Sequence, residues 1–395
     1  MKRIKISLLG RIAIAIILAL LLGYAMPAWV GLTIPSFITR CFLTFNAIFA
    51  QFLGFVIPLV ILALVAEAIG SIGMKAGRML LITLAIAYGS TVFSGYLAFL
   101  TGSAVFPRLI TPEPSAQMEG ASAMLSPYFT IDMPPVMGVT TALILAFILG
   151  LGVARGRAET LRGLIVDVKN IITDIIEYVI IPLLPLYIFG VFLGMTADTR
   201  VLDTLVSFAK VIGVIFILHV FLLVLQYVLA GAIAGKNPFR SLGRMLPAYF
   251  TALGTASSAA TIPVTLAQAQ KNGVSEEVAS FVIPLCATIH LSGSMLKIVS
   301  CALALMVMTG LGYDVSLFTE FILMLGITMV AAPGVPGGAI MAALPILKGT
   351  LGFDDPQLAL MISLYIAMDS FGTACNVTGD GAIAMVVDRL SGRKK

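Results

Sequence analysis

The sequence predicts an all-α polytopic membrane protein. Three observations carry that prediction. Of its 395 residues, 59% are hydrophobic and 11% charged, and the mean hydropathy is +1.08, more apolar surface than a soluble domain can hide. Long apolar runs recur along the whole chain, at lengths suited to spanning helices. The basic residues gather in alternate connections, as the positive-inside rule expects of cytoplasmic loops. The net charge of +5 is part of that bias and calls for no nucleic-acid partner. The cysteines Cys41, Cys286, Cys301 and Cys375 stand singly in apolar surroundings, which reads as buried thiols and not as a disulfide or metal framework.

Helices are the default in lipid, where the backbone finds no other partners. The first six spans fall near 6–28, 41–69, 79–105, 136–154, 171–196 and 204–234. The first is long enough to span and is read as a retained helix, not a cleaved signal peptide. Lys2, Arg3, Lys5 and Arg11 stand before span one, Lys75 and Arg78 after span two, and Arg155, Arg157, Arg162 and Lys169 after span four. Lys236, Arg240 and Arg244 follow span six, and Arg389, Arg393, Lys394 and Lys395 end the chain. The opposite loops hold few, among them Arg108 and Arg200, so both termini are expected in the cytoplasm. Glu67, Glu177, Lys210 and His219 read as interfacial charges near span ends.

The second half changes character. The stretches "YFTALGTASSAATIPVTLAQAQ" and "ITMVAAPGVPGGAIMAALPIL" are apolar but rich in small residues and proline. Both read as re-entrant hairpins, because irregular backbone survives at membrane depth only against protein or a water-filled cavity. Each precedes a span with polar residues, 278–309 and 357–388. A hairpin followed by a broken helix, twice over, is the pattern of an inverted repeat with a substrate site at its interface.

The last span holds "MDSFGTACNVTGD". At 100° per residue, Thr373 lies about +40° from Asp369, Asn376 about −20° and Asp380 about +20°, one stripe on one face. Two intramembrane aspartates on one stripe are costly. Two readings compete: a polar clamp between helices, packed through Gly372 and Gly379, or a binding surface with carboxylate for an amine or a metal cation. In "PLCATIHLSGSMLK" the polar residues Thr288, His290, Ser292 and Ser294 alternate, which suits an unwound turn around a small cation. Lys297 follows in the same span, either snorkelling to an interface or facing inward. A lone His290 is a weak zinc ligand.

These motifs resemble the dicarboxylate/amino acid:cation symporter family, the glutamate-transporter-like proteins. "NVTGD" (376–380) matches the family's last-helix motif, "SSAATIPVT" (257–265) resembles its first hairpin tip and "GVPG" (334–337) its second. "PLCATIHLSGS" (284–294) stands where the family reads PLGATINMDGT. The resemblance implies eight helices, two hairpins, a homotrimer and an elevator-like transport domain. Helices 1–2 (1–75) and 4–5 (136–200) would then form a scaffold. Helix 3 with an external loop (76–135) and the segment 201–395 would form the transport domain. It implies substrate contacts at Ser257, Ser258, Asp369, Gly372, Thr373 and Asn376, with Asp369 meeting the amino group. It implies sodium ligands at Asp380, Asn376 and Thr288, with His290 in that set if the ion is retained, and a third ion site near Ser90 and Thr91.

Departures from the pattern shape the expected function. Gly372 stands where acidic-substrate members carry an arginine, and Tyr365 replaces an acidic residue. A glycine supplies no bidentate cation, so the expected substrate is an amino acid without an acidic side chain, with room opened for a larger one. His290 and Ser292 replace Asn and Asp of the family motif, and Lys297 could stand where a cation would balance Asp380. Sodium coupling is then reduced or replaced by proton coupling, with His290, Ser292, Lys297, Asp380, Ser90 and Thr91 as candidates. Neither a cofactor nor enzymatic chemistry is expected. A dicarboxylate or acidic amino acid symporter, and an uncoupled channel or facilitator, are the alternatives. An aspartyl protease is disfavoured, since Asp369 and Asp380 lie about 16 Å apart along one helix. The expected setting is a bacterial cytoplasmic (inner) membrane.

Overall fold

The structure is a computed structural model that describes residues 8–25, 36–72, 78–110, 126–156, 158–195, 201–330, 332 and 337–391. Several residues of the charge argument, Lys2, Arg3, Lys5, Lys75, Arg157, Arg200, Arg393, Lys394 and Lys395, lie outside the described residues. So do positions 333–336 of the second hairpin tip and 111–125 of the external loop.

Every regular element among the described residues is helical. α1 (Leu8–Leu20) runs on through a π-turn, and α2 (Ser36–Ile72), α3 (Arg78–Leu109) and α4 (Val139–Ala154) follow. α5 (Glu159–Ile175) continues through a second π-turn into α6 (Ile181–Met195), and α7 (Val201–Ala234) closes the first half. Helices with the length and composition to cross a membrane number five among the described residues, or six if one bent pair is a single span. Arg162 and Lys169, expected in a loop, lie inside α5. That helix is amphipathic: Ile165 and Ile172 are buried seven residues apart, one face of a 3.6-residue period, which leaves the charged face outward. Cys41 is exposed, and the other three cysteines are buried.

The second half follows the expected pattern. α8 (Pro238–Thr255) and α9 (Ser258–Lys271) form the first hairpin. Ala256 turns the chain in the left-handed region, φ 50°, and Ser257 caps α9 by accepting from Ala260 N–H. At the open end, Asn272 Nδ2 and Arg244 Nη1 bridge the two arms, donating to Ser241 O and Lys271 O at 3.0 and 2.8 Å. α10 (Glu276–Ile289) and α11 (Ser292–Thr309) are one broken span, interrupted at His290 and Leu291. α12 (Val315–Met329) and α13 (Gly338–Leu351) pack together as the arms of the second hairpin. α14 (Asp355–Ala367) and α15 (Asp369–Leu390) are the second broken span, bent by 61° at Met368.

α15 is the hub. It packs against α3, α7, α8, α9, α10, α11 and α14, and its small residues let seven partners approach. α11 is buried along its whole length and lies against α3 and α15. Away from this centre, α2 and α4 make the most extensive helix pair. It depends on Gly150, where a Cβ would fall 2.7 Å from Ile69 Cβ and 2.9 Å from Ala66 O. Close backbone approach through small residues is the usual source of helix affinity in lipid. Gly150→Leu is therefore expected to cost about 1–3 kcal/mol by overpacking, seen as a lower thermal unfolding midpoint of the detergent-solubilised protein. An unchanged midpoint would show that the pair tolerates the wider spacing.

Candidate functional site

A cleft opens where both hairpins and both broken helices converge. Ser258 of α9, Thr288 of α10, Ser294 of α11, and Asp369, Thr373 and Asn376 of α15 all line it. The helical stripe read from the sequence therefore faces one cavity with three of its four members. Ser258 opens α9, and the first turn of a helix presents unbonded N–H groups and a positive dipole end, a natural seat for a carboxylate. Asp369 opens α15. Among the described residues, no lining side chain is a lysine, arginine or histidine.

Asp369 is held from two sides. Its Oδ2 accepts from Gly337 N–H at 2.8 Å, which ties α15 to the start of α13 in the second hairpin. Its Oδ1 lies 3.5 Å from Lys297 Nζ. That ammonium also donates to Met368 O at 3.3 Å and sits 3.6 Å above the Tyr365 ring centre. Lys297 is wholly buried, so it does not snorkel. Its aliphatic stem packs on Gly372, where a Cβ would collide with Lys297 Cε and lie 2.6 Å from Nζ. The room expected from a glycine at 372 is thus filled by Lys297, and no larger substrate side chain gains it. Lys297 also partners Asp369 and not Asp380, the carboxylate expected from the sequence.

Asp380 finds a different partner. His290 Nδ1 lies 2.9 Å from Asp380 Oδ1, and its Nε2 lies 3.1 Å from Ser90 Oγ. His290 therefore does have an acidic neighbour, supplied by another helix. Gln226 Nε2 donates to both Ser90 Oγ and Ser292 Oγ, at 3.0 and 3.1 Å. Thr91 Oγ1 accepts from Leu291 N–H at 3.3 Å. Ser90, Gln226, His290, Ser292 and Asp380 thus form one network outside the cleft lining, with Thr91 on the neighbouring backbone, and Ser257 and Gly372 stand beside the cleft and not in its lining.

Asn376 joins the two layers. Its Oδ1 accepts from Gly293 N–H at 2.7 Å and Ser294 N–H at 3.3 Å, and its Nδ2 donates to Ser294 Oγ at 3.0 Å. Tyr365, fully buried, donates its hydroxyl to the same Ser294 Oγ at 3.1 Å. His219, read as interfacial from the sequence, is 4% exposed and lies under the break in α10–α11, with Nε2 3.0 Å from Gly293 O. Gln226 is not among the residues that the sequence motifs single out. The signal was present: His219 and Gln226 are seven apart in α7, so they share one helix face.

Paired hairpins and paired broken helices around a polar cleft describe the class of secondary transporters built from repeated hairpin–helix units. The chain belongs to the sodium:dicarboxylate symporter family, whose model matches residues 8–390. It is similar to a serine/threonine transporter, SstT, of Acinetobacter baumannii (strain SDF), at 30% identity over 401 residues, 97% of each chain. The same transporter of strain ATCC 17978 is 28% identical over 399 residues, again 97% of each. Human excitatory amino acid transporter 2 is 28% identical over 264 residues, covering 64% of this chain and 45% of the human protein.

The contact between Gly372 and Lys297 makes these two positions one unit. Gly372→Ala is expected to push the ammonium off Asp369, and breaking a buried charge pair costs about 3–5 kcal/mol. In a double-mutant cycle on thermal unfolding, Gly372→Ala with Lys297→Ala should be less damaging than the sum of the two single changes by at least about 1 kcal/mol. Simple additivity would show that the two side chains do not meet.

Proposed function

We propose that the chain is a secondary transporter for a small amino acid without an acidic side chain. The observation that carries this reading is the charge balance of the cleft. One carboxylate edge, that of Asp369, faces it beside the N-terminal turn of α9, while the nearest lysine is wholly buried behind Asp369. A zwitterion places its ammonium by Asp369 and its carboxylate on the N–H groups of α9. A second carboxylate on the substrate would be desolvated with no cationic partner, at a cost of several kcal/mol. Thr373 and Thr288 offer hydroxyls to a short polar side chain. The name serine/threonine transporter carried by two relatives fits that chemistry.

Transport proceeds by alternating access. Substrate sits between the hairpins and broken helices, and the second hairpin acts as the gate through the Gly337 contact to Asp369. Helix 3 with its loop (76–135) and the segment 201–395 move as an elevator against a scaffold of 1–75 and 136–200, in a homotrimer of the cytoplasmic membrane with both termini inside. The driving ion is sodium or a proton, set by the side chains around Asp369 and Asp380.

The test is counterflow into proteoliposomes preloaded with unlabelled L-serine. Labelled serine should accumulate, and neutral amino acids should compete at least about tenfold better than aspartate or glutamate, a difference of about 1.4 kcal/mol. Asp369→Asn should abolish exchange. Preference for aspartate or glutamate would overturn the substrate assignment, and equilibration without counterflow would point to a channel.

A further inference from the structure

Among the described residues only two carboxylates are buried, Asp369 and Asp380. Each has a basic partner carried by the broken span α10–α11: Lys297 Nζ lies 3.5 Å from Asp369, and His290 Nδ1 lies 2.9 Å from Asp380. Both partners are wholly buried. Each occupies space left by a glycine of α15. Lys297 packs on Gly372, and a Cβ at Gly379 would fall 2.7 Å from both His290 Cε1 and Gln226 Oε1.

The break itself is closed in the same way. Leu291 N–H goes to Thr91 Oγ1, and Gly293 and Ser294 N–H go to Asn376 Oδ1. Gly293 O accepts from the His219 ring at 3.0 Å. Ser94 Oγ lies 2.8 Å from Ser292 O and 2.7 Å from Thr91 O, sharing its one hydrogen between them. Thr288, exposed at the end of α10, donates its hydroxyl to Leu285 O of its own helix at 2.8 Å.

A coupling cation at a broken helix does two things. It offsets buried negative charge, and it satisfies carbonyls that the break leaves without partners. In this chain the first task is met by the two basic side chains, and beside the break Ser94 and the His219 ring donate to Ser292 O and Gly293 O. A sodium ion on Asp380 Oδ1 would have to displace His290, which packs with Gln226 against Gly379. An ion between Ser90 and Ser292 would have to displace the Gln226 amide, which already donates to both hydroxyls.

We propose that Lys297 and His290 are tethered partners standing in for sodium, so that substrate binding and closure of the second hairpin need no sodium ion. This rests on the transporter reading, and it narrows the coupling left open there. Closure is tied instead to the charge pair: Gly337 N–H of the second hairpin docks on the same Asp369 that Lys297 holds.

The experiment compares sodium chloride with choline chloride at equal ionic strength on the full chain purified in detergent, reading the thermal unfolding midpoint without substrate. A ligand that binds only the folded state raises the midpoint in proportion to the logarithm of its concentration. The expected result is the same midpoint in both salts. A sodium-specific rise that grows with the logarithm of the sodium concentration would overturn the proposal. The measurement does not depend on which substrate is carried, so failure of serine counterflow and failure of this inference remain distinct results. The double variant Lys297→Met/His290→Asn vacates both positions and should gain a sodium-specific rise, with at least about tenfold tighter apparent affinity than the parent. A folded double variant indifferent to sodium would overturn the assignment of the exclusion to these two side chains. If that variant does not fold, the parent protein's titration alone decides.

Discussion

The contact between Lys297 and Asp369 is the constraint around which the second half of the molecule is arranged. A buried ammonium and a buried carboxylate are each costly, and an unpaired one is costlier still. Their meeting fixes the neighbours in turn. Gly372 is bare so that the lysine stem can pass, Tyr365 offers its ring face to the ammonium, and Met368 turns its carbonyl toward Nζ. The 61° bend at Met368 places that carbonyl and the first residue of α15 on the same side of the lysine. Remove the pair and the bend, the glycine and the hairpin contact lose their common reason.

The interior of this membrane protein is accordingly polar at its centre and apolar at its edges. α15 carries glycines at 372, 379 and 381, and each is met by a long or polar side chain from another helix: Lys297, Gln226 with His290, and Met245 with Tyr227. Small residues in lipid usually bring two backbones together. Here they also admit side chains that satisfy buried groups, which lets one helix support seven others without leaving its carboxylates unpaired. Three side chains in this region still bury a polar atom without a partner, at His219 Nδ1, Gln226 Oε1 and Thr378 Oγ1.

Much of this was readable from the sequence where one element decides it. The apolar runs point to the long helices, the alternation of Thr288, His290, Ser292 and Ser294 points to an unwound turn in the stretch that holds the break at 290–291, and the wheel angles of Asp369, Thr373 and Asn376 put them on one helix face, which lines the cleft. The failures share a different physical cause: they concern which helix lies opposite. Whether Lys297 reaches Asp369 or Asp380 depends on the crossing of α11 and α15, and nothing in local spacing encodes a crossing. His219 was read by its distance from a span end, whereas its i, i+7 relation to Gln226 carried the better signal. The charges of Arg162 and Lys169 suggest a loop, whereas the seven-residue spacing of Ile165 and Ile172 marks the buried face of a helix.

The glycine at 372 also bears on how such a site changes over evolutionary time. An arginine there, reaching into the cleft, cannot coexist with Lys297, because even a Cβ meets the lysine stem. Losing Lys297 first strands Asp369 as an unpaired buried charge, and gaining the side chain first displaces the ammonium. Either order passes through a damaged protein, so placing a cation at 372 requires two coordinated replacements on different helices. Positions 297 and 372 should therefore be inherited as a pair, and a lineage that holds one is held to the other.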